Sequence, residues 1–224
     1  MKTPTITTKL DKNLDQKVFI NALNRYPDIV HNTFPQIDTE QDVKDAVRYV
    51  YSGTDETEKL YAVENALPHD HSLAKIMMII SEALDYSWDG IDEVTIIPAT
   101  SPIFPRYIDS NSFLVPYYWP MNWILKNCAH ELTHLLYFKK LSDLLEHKID
   151  TEFPGNDWLL SEIVAPIVVN DQKIQAIVNA EDVFYSPKDN IISSRKRKGI
   201  EKLFVEEKNI IKFREKALKE IGQE

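Results

Sequence analysis

The stretch "NCAHELTHLLYFKK", Asn127 to Lys140, carries two histidines four residues apart, with a glutamate directly after the first. Ile124, Cys128, Leu132, Leu135 and Leu136 recur around it at three- and four-residue spacing, which predicts a helix over about Asn122 to Leu145 with one apolar face. His130 and His134 then stand one turn apart on a neighbouring stripe. That spacing lets both imidazoles reach one metal ion at about 2.0–2.1 Å, the bond length of tetrahedral zinc. Glu131, beside the first histidine, is placed to take a proton from water at the metal. The other reading is a helix whose two half-buried histidines are paired with carboxylates.

Two histidines do not hold a catalytic zinc, so a third ligand is required. The pattern His-Glu-x-x-His-x-x-Gly-x-x-His is excluded, because Tyr137 and Lys140 stand at its glycine and final histidine positions. "NDWLLSEIVAPIVVND" (Asn156 to Asp171) offers Glu162 inside a strongly apolar segment with Leu159, Leu160, Ile163, Val164 and Ile167. Burying an unpaired carboxylate there costs several kcal/mol, and placing it on a metal removes that cost. Asp157 reads as the start of this helix. Glu146 and Glu152 compete for the ligand role but fall in polar chain leaving the histidine helix. Glu181, beside Asp182, reads as solvated.

Composition sets the frame. With 224 residues and 43% hydrophobic content, the chain is long enough for one well-buried core, and the expectation is a globular protein. No apolar run approaches the roughly 18–20 residues of a membrane span. The N-terminal residues lack the apolar core of a secretory signal, and the single Cys128 forms no internal disulfide, so a reducing cytoplasm is expected. A formal charge of −9 argues against general polyanion binding. The basic run "RKRKG" (Arg195 to Gly199) reads as a solvated loop between helices, and no nucleic-acid partner is expected. Five glycines in the whole chain exclude a glycine-rich phosphate loop and favour helix. "HDH" (His69 to His71) reads as a turn with Asp70 as N-cap rather than a metal cluster.

Residues 1–16 read as a polar N-terminal arm and 17–90 as a helical layer, with helices at Leu14–Tyr26, Thr39–Gly53, Asp55–Leu67 and Asp70–Tyr86. Residues 91–224 form the core that carries the site. "DEVTIIPA" (Asp92 to Ala99) and "NSFLVPYY" (Asn111 to Tyr118) are strands, and Pro98 and Pro116 place both at a sheet edge or end them there. "TSPIFPRYIDS" between them is a loop. Helices resume at about Asp157–Val178 and Lys198–Lys219. The fold class is therefore α+β and predominantly helical.

With these residues the chain resembles the gluzincin group of zinc metallopeptidases, most closely the compact, minigluzincin-type members. The resemblance covers about Asp92 to Val169 and rests on "HELTH" and "LLSEIVA". It implies a zincin-like domain with a small sheet over the active-site helix, and an edge strand, for which "NSFLVP" is the candidate, that pairs with extended peptide. It also implies that His130, His134 and Glu162 bind one zinc and that Glu131 is the general base. Many gluzincins carry an acid four residues after the ligand glutamate, where it fixes a histidine ring. Here that position is Pro166, and Asn127 or Asp157 are candidates for the missing partner. The ImmA/IrrE-like group is a related comparison.

The expected activity is hydrolysis of peptide bonds in a peptide or protein substrate by a zinc-activated water. Tyr185 is the candidate donor to the developing oxyanion, with His147, Tyr117 and Tyr118 as alternatives. The rival reading is a catalytically inactive binding protein that kept the zincin scaffold. Substrate side-chain preference and oligomeric state leave no mark in the sequence.

Overall fold

The structure, a computed structural model, describes residues 2–145, 149–184 and 192–222. In chain order its elements are β1 (Thr5–Thr8), α1 (Lys12–Arg25), α2 (Pro27–Thr33), α3 (Glu40–Val50), α4 (Asp55–Ala66) and α5 (His71–Leu84). There follow β2 (Glu93–Ala99), β3 (Arg106–Tyr107), β4 (Ser112–Pro116), α6 (Met121–Leu144), α7 (Asn156–Val169), α8 (Gln172–Val178), α9 (Ser194–Glu206) and α10 (Ile210–Gly222). The class is α+β, predominantly helical, with a small mixed sheet. Among the described residues, no helix is long and apolar enough to cross a membrane. The chain groups into two compact units, residues 2–74 with 89–128, and residues 75–88 with 129 onward.

In the first unit the sheet order is β1-β2-β4-β3, parallel between β1, β2 and β4 and antiparallel between β4 and β3. The segment expected as a polar arm thus supplies a strand: "TITT" is β-branched at every position and pairs from Thr5 opposite Glu93 to Thr8 opposite Ile96. The proline expectation is refined. β2 and β4 are inner strands, and "NSFLVP" is flanked on both sides, so it is not an open edge along its length. The Ile96 carbonyl accepts from Lys9 on the β1 side, so residue 98, two further on, faces the same way. Pairing with β1 has ended by then, so the N–H that proline lacks has no ladder partner to lose. Pro116 repeats this on the β3 side, beyond Leu114, whose N–H donates to the Pro105 carbonyl.

α1 packs Phe19, Ala22 and Leu23 against Val30 of α2, Ile37, and Val43 and Val47 of α3. α3 begins at Thr39 with a capping box in which the Asp42 carboxylate accepts the Thr39 N–H at 2.8 Å. Asp15 of α1 is fully buried and accepts the backbone N–H groups of Thr100 and Ser101, with contacts of 2.8–3.0 Å, which fixes the loop after β2. Burial pushes its pKa up, opposed by those hydrogen bonds. α2 was not foreseen; Pro27 at its first turn starts a new helix directly after α1 ends.

In the second unit α7 is buried almost all round, with Asp157, Ser161 and Glu162 as its buried polar side chains. A helix apolar on every face belongs inside a core. The expected helix 157–178 is two helices: α7 ends at Asn170, and Asp171 opens α8 by accepting the Lys173 N–H at 2.8 Å. The helix expected at 198–219 is also two, parted at 207–209, where Asn209 accepts the N–H groups of Ile211 and Lys212 at 3.0 Å. "RKRKG" is not a loop. It forms the first turns of α9, where Lys196 donates to the Ile221 carbonyl at 3.2 Å and Arg197 lies 5.2 Å over the Phe184 ring. At "HDH", Asp70 accepts the Ser72 N–H at 2.7 Å and α5 starts at His71.

Candidate metal centre

α6 places His130 and His134 one turn apart, and α7 brings Glu162 between them. His130 Nε2 and His134 Nε2 are 2.9 Å apart, and each lies 3.5 Å from a Glu162 oxygen. Among the described residues, these three form the group of His, Cys, Asp and Glu side chains whose donor atoms converge closely enough to hold a metal ion. Tetrahedral zinc bonds of 2.0–2.1 Å would set ligand separations of about 3.4 Å, close to the two histidine–glutamate distances of 3.5 Å and longer than the 2.9 Å between the histidine nitrogens. Glu162 is 3% exposed, a depth at which a carboxylate needs a compensating cation. Glu131, beside His130 on α6, is also buried.

The partner of the first histidine is one that sequence reasoning missed. His130 Nδ1 lies 2.6 Å from Asp182 Oδ2. An ionised carboxylate only accepts, so Nδ1 carries a proton, and Nε2 is the ring nitrogen turned towards His134 and Glu162. This is the role that Pro166 cannot fill. Asp182, not either candidate named for it, stands at His130 Nδ1, and Asp157 is engaged by Arg214 at 2.6 and 3.0 Å. Glu181 is exposed as expected, but its neighbour Asp182 is buried. From Ala180 to Val183, after α8 has ended, burial alternates residue by residue, so the two adjacent acids face opposite ways. Nothing in "NAEDVF" says which of the two points inward.

Glu152 is exposed, and Glu146, His147 and Tyr185 lie outside the described residues. Tyr117 and Tyr118 belong to the other unit, where the Tyr117 hydroxyl donates to Glu56 at 2.8 Å. No protein-family model matches the chain, and neither a curated protein nor a solved structure matches it.

The electrostatics give a first expected result. Burial acts to lower the His130 pKa, but the Asp182 charge and hydrogen bond, with Glu162, overrule it and raise the value from 6.5 to about 10. In metal-free protein this contribution to stability is therefore complete below the ordinary histidine value and fades as pH rises through about 10. Chelator-treated wild type should lose thermal stability between pH 7 and 10 relative to His130→Gln. Parallel falls in both proteins would remove His130 as the cause.

Proposed function

We propose that the protein is a zinc-dependent metallopeptidase of compact gluzincin type, with Glu131 as its general base. The observation that carries this reading is the convergence of His130, His134 and Glu162 from two helices, with Asp182 holding His130 on its far side. His130, His134 and Glu162 would hold one zinc ion. When bound, zinc lowers the pKa of a water towards about 7 and polarises a carbonyl oxygen. Glu131 accepts the proton of the attacking water and passes it to the leaving amine. Asp182 keeps the His130 ring in the tautomer and orientation that the site requires.

The test is zinc content by elemental mass spectrometry after identical loading and desalting of the wild type and Glu162→Ala. About one zinc per chain is expected in the wild type, with most of it lost in the variant. A wild type that takes up no zinc returns "HELTH" to two helix histidines paired with acids. Equal zinc in both proteins takes the ligand role away from Glu162. Zinc retained with no cleavage of a peptide library identifies a metal-holding binding protein instead of a peptidase.

A further inference from the structure

Asp182 lies on no helix or strand, yet its carboxylate is held 2.6 Å from a histidine nitrogen. A side chain on irregular chain keeps that distance only if its own backbone is fixed. Asn170, the residue that caps α7, fixes it from both sides. Its Nδ2 donates to the Asp182 carbonyl at 2.8 Å, and its Oδ1 accepts the Asp182 N–H at 2.9 Å. The two bonds assign the amide orientation, since a reversed amide would set donor against donor and acceptor against acceptor. Gln175 of α8 completes the arrangement: its Nε2 donates to the carbonyls of Val169 and Ala180, both at 3.0 Å, tying the end of α7 to the chain just before Asp182.

Resting on the metal reading above, we propose that Asn170 is a positioning residue of the metal centre, which sets the Asp182 carboxylate and through it the His130 ring. α7 then clamps His130 from both sides, directly with Glu162 at Nε2 and through Asn170 and Asp182 at Nδ1. Pro166 stands between the two, one turn after Glu162 and one turn before Asn170, and carries no polar side chain. An acid carried by the helix is replaced by an amide at the helix end that recruits an acid from the following chain. Asparagine is the side chain this needs. Aspartate would lose the donor to the Asp182 carbonyl and set a negative charge against that oxygen, and alanine would lose both bonds.

The experiment is zinc affinity by competition with a chromophoric chelator, with folding of the metal-free proteins followed by thermal melts. Asp182→Ala is expected to weaken zinc binding about 10- to 100-fold. Asn170→Ala should weaken it by roughly threefold to 30-fold, acting through the same contact. In Asn170→Ala/Asp182→Ala the loss should equal that of Asp182→Ala alone, because a residue acting only through Asp182 has nothing left to position. Additive losses, or an Asp182→Ala affinity within threefold of wild type, overturn the proposal. If Asp182→Ala does not fold, Asp182→Leu, which has similar reach and no acceptor, takes its place in the same cycle, with an expected loss of about 10- to 100-fold. Wild type that binds no zinc overturns the metal reading and this inference together; wild type that binds it with additive losses overturns the role of Asn170 alone.

Discussion

Replacing Glu131 with glutamine should lower peptide hydrolysis by about two to four orders of magnitude and leave the zinc content unchanged. Glutamine keeps the shape of the side chain and one acceptor oxygen, but it takes up no proton at neutral pH, so the substitution removes proton transfer and little else. Glu131 lies on the buried stretch of α6, one residue after His130, and is only 6% exposed. The converging ligand set does not include it, which is why metal content and activity should separate. A general base acts in the transition state, so kcat should carry the loss with KM little changed. A loss below tenfold would remove Glu131 as the base. Zinc lost together with activity would make Glu131 part of what holds the metal.

The parts of this site that lie on helices were legible, and the part that does not was not. A four-residue spacing on a helix fixes which side chains share a face, so His130 and His134 could be paired from "HELTH" alone. Glu162 was exposed by contrast, as an acid within an apolar run that had to be buried. Asp182 offers neither signal: it lies on no helix or strand, it has an acid neighbour, and its backbone is joined to the Asn170 side chain by two hydrogen bonds that no local pattern encodes. The same limit appears in the fold. Long amphipathic helices were placed within a few residues, whereas the breaks at 170–171 and 207–209 were missed, because Asn and Asp favour caps but also occur on exposed helix surfaces, and the apolar spacing runs on past them. β1 was missed because a four-residue strand becomes one only through its partner β2. Apolar content was enough to foresee that α7 is buried, but not that a cation from a later helix would reach its first turn.

That cation is Arg214 of α10, and its removal should cost a large share of the stability of the unit that carries the site. Its Nε and Nη2 donate to the two oxygens of Asp157 at 2.6 and 3.0 Å, a bidentate pair with side chains 15% and 4% exposed. Deleting one partner of a buried pair strands the other charge, at a cost of about 3–5 kcal/mol. Asp157 sits in the first turn of α7, where the helix dipole favours a carboxylate, so Arg214→Met should fall near the lower end of that range. For a chain of this length, each kcal/mol lowers the midpoint of thermal unfolding by roughly 2–4 °C. The stranded charge also lies near the buried Tyr137, whose pKa burial and Asp157 push up while Arg214 opposes them. Adding Asp157→Leu to Arg214→Met removes the stranded carboxylate and should recover most of the loss, since an apolar pair is often no worse than a buried ionic one. Urea unfolding of metal-free wild type, both single variants and the double variant closes the cycle. If Arg214→Met costs less than about 1 kcal/mol, the pair is no stronger than a surface contact. α10 would then have to be held by its apolar face, through Phe213 and Ala217, which are buried without help from the charge.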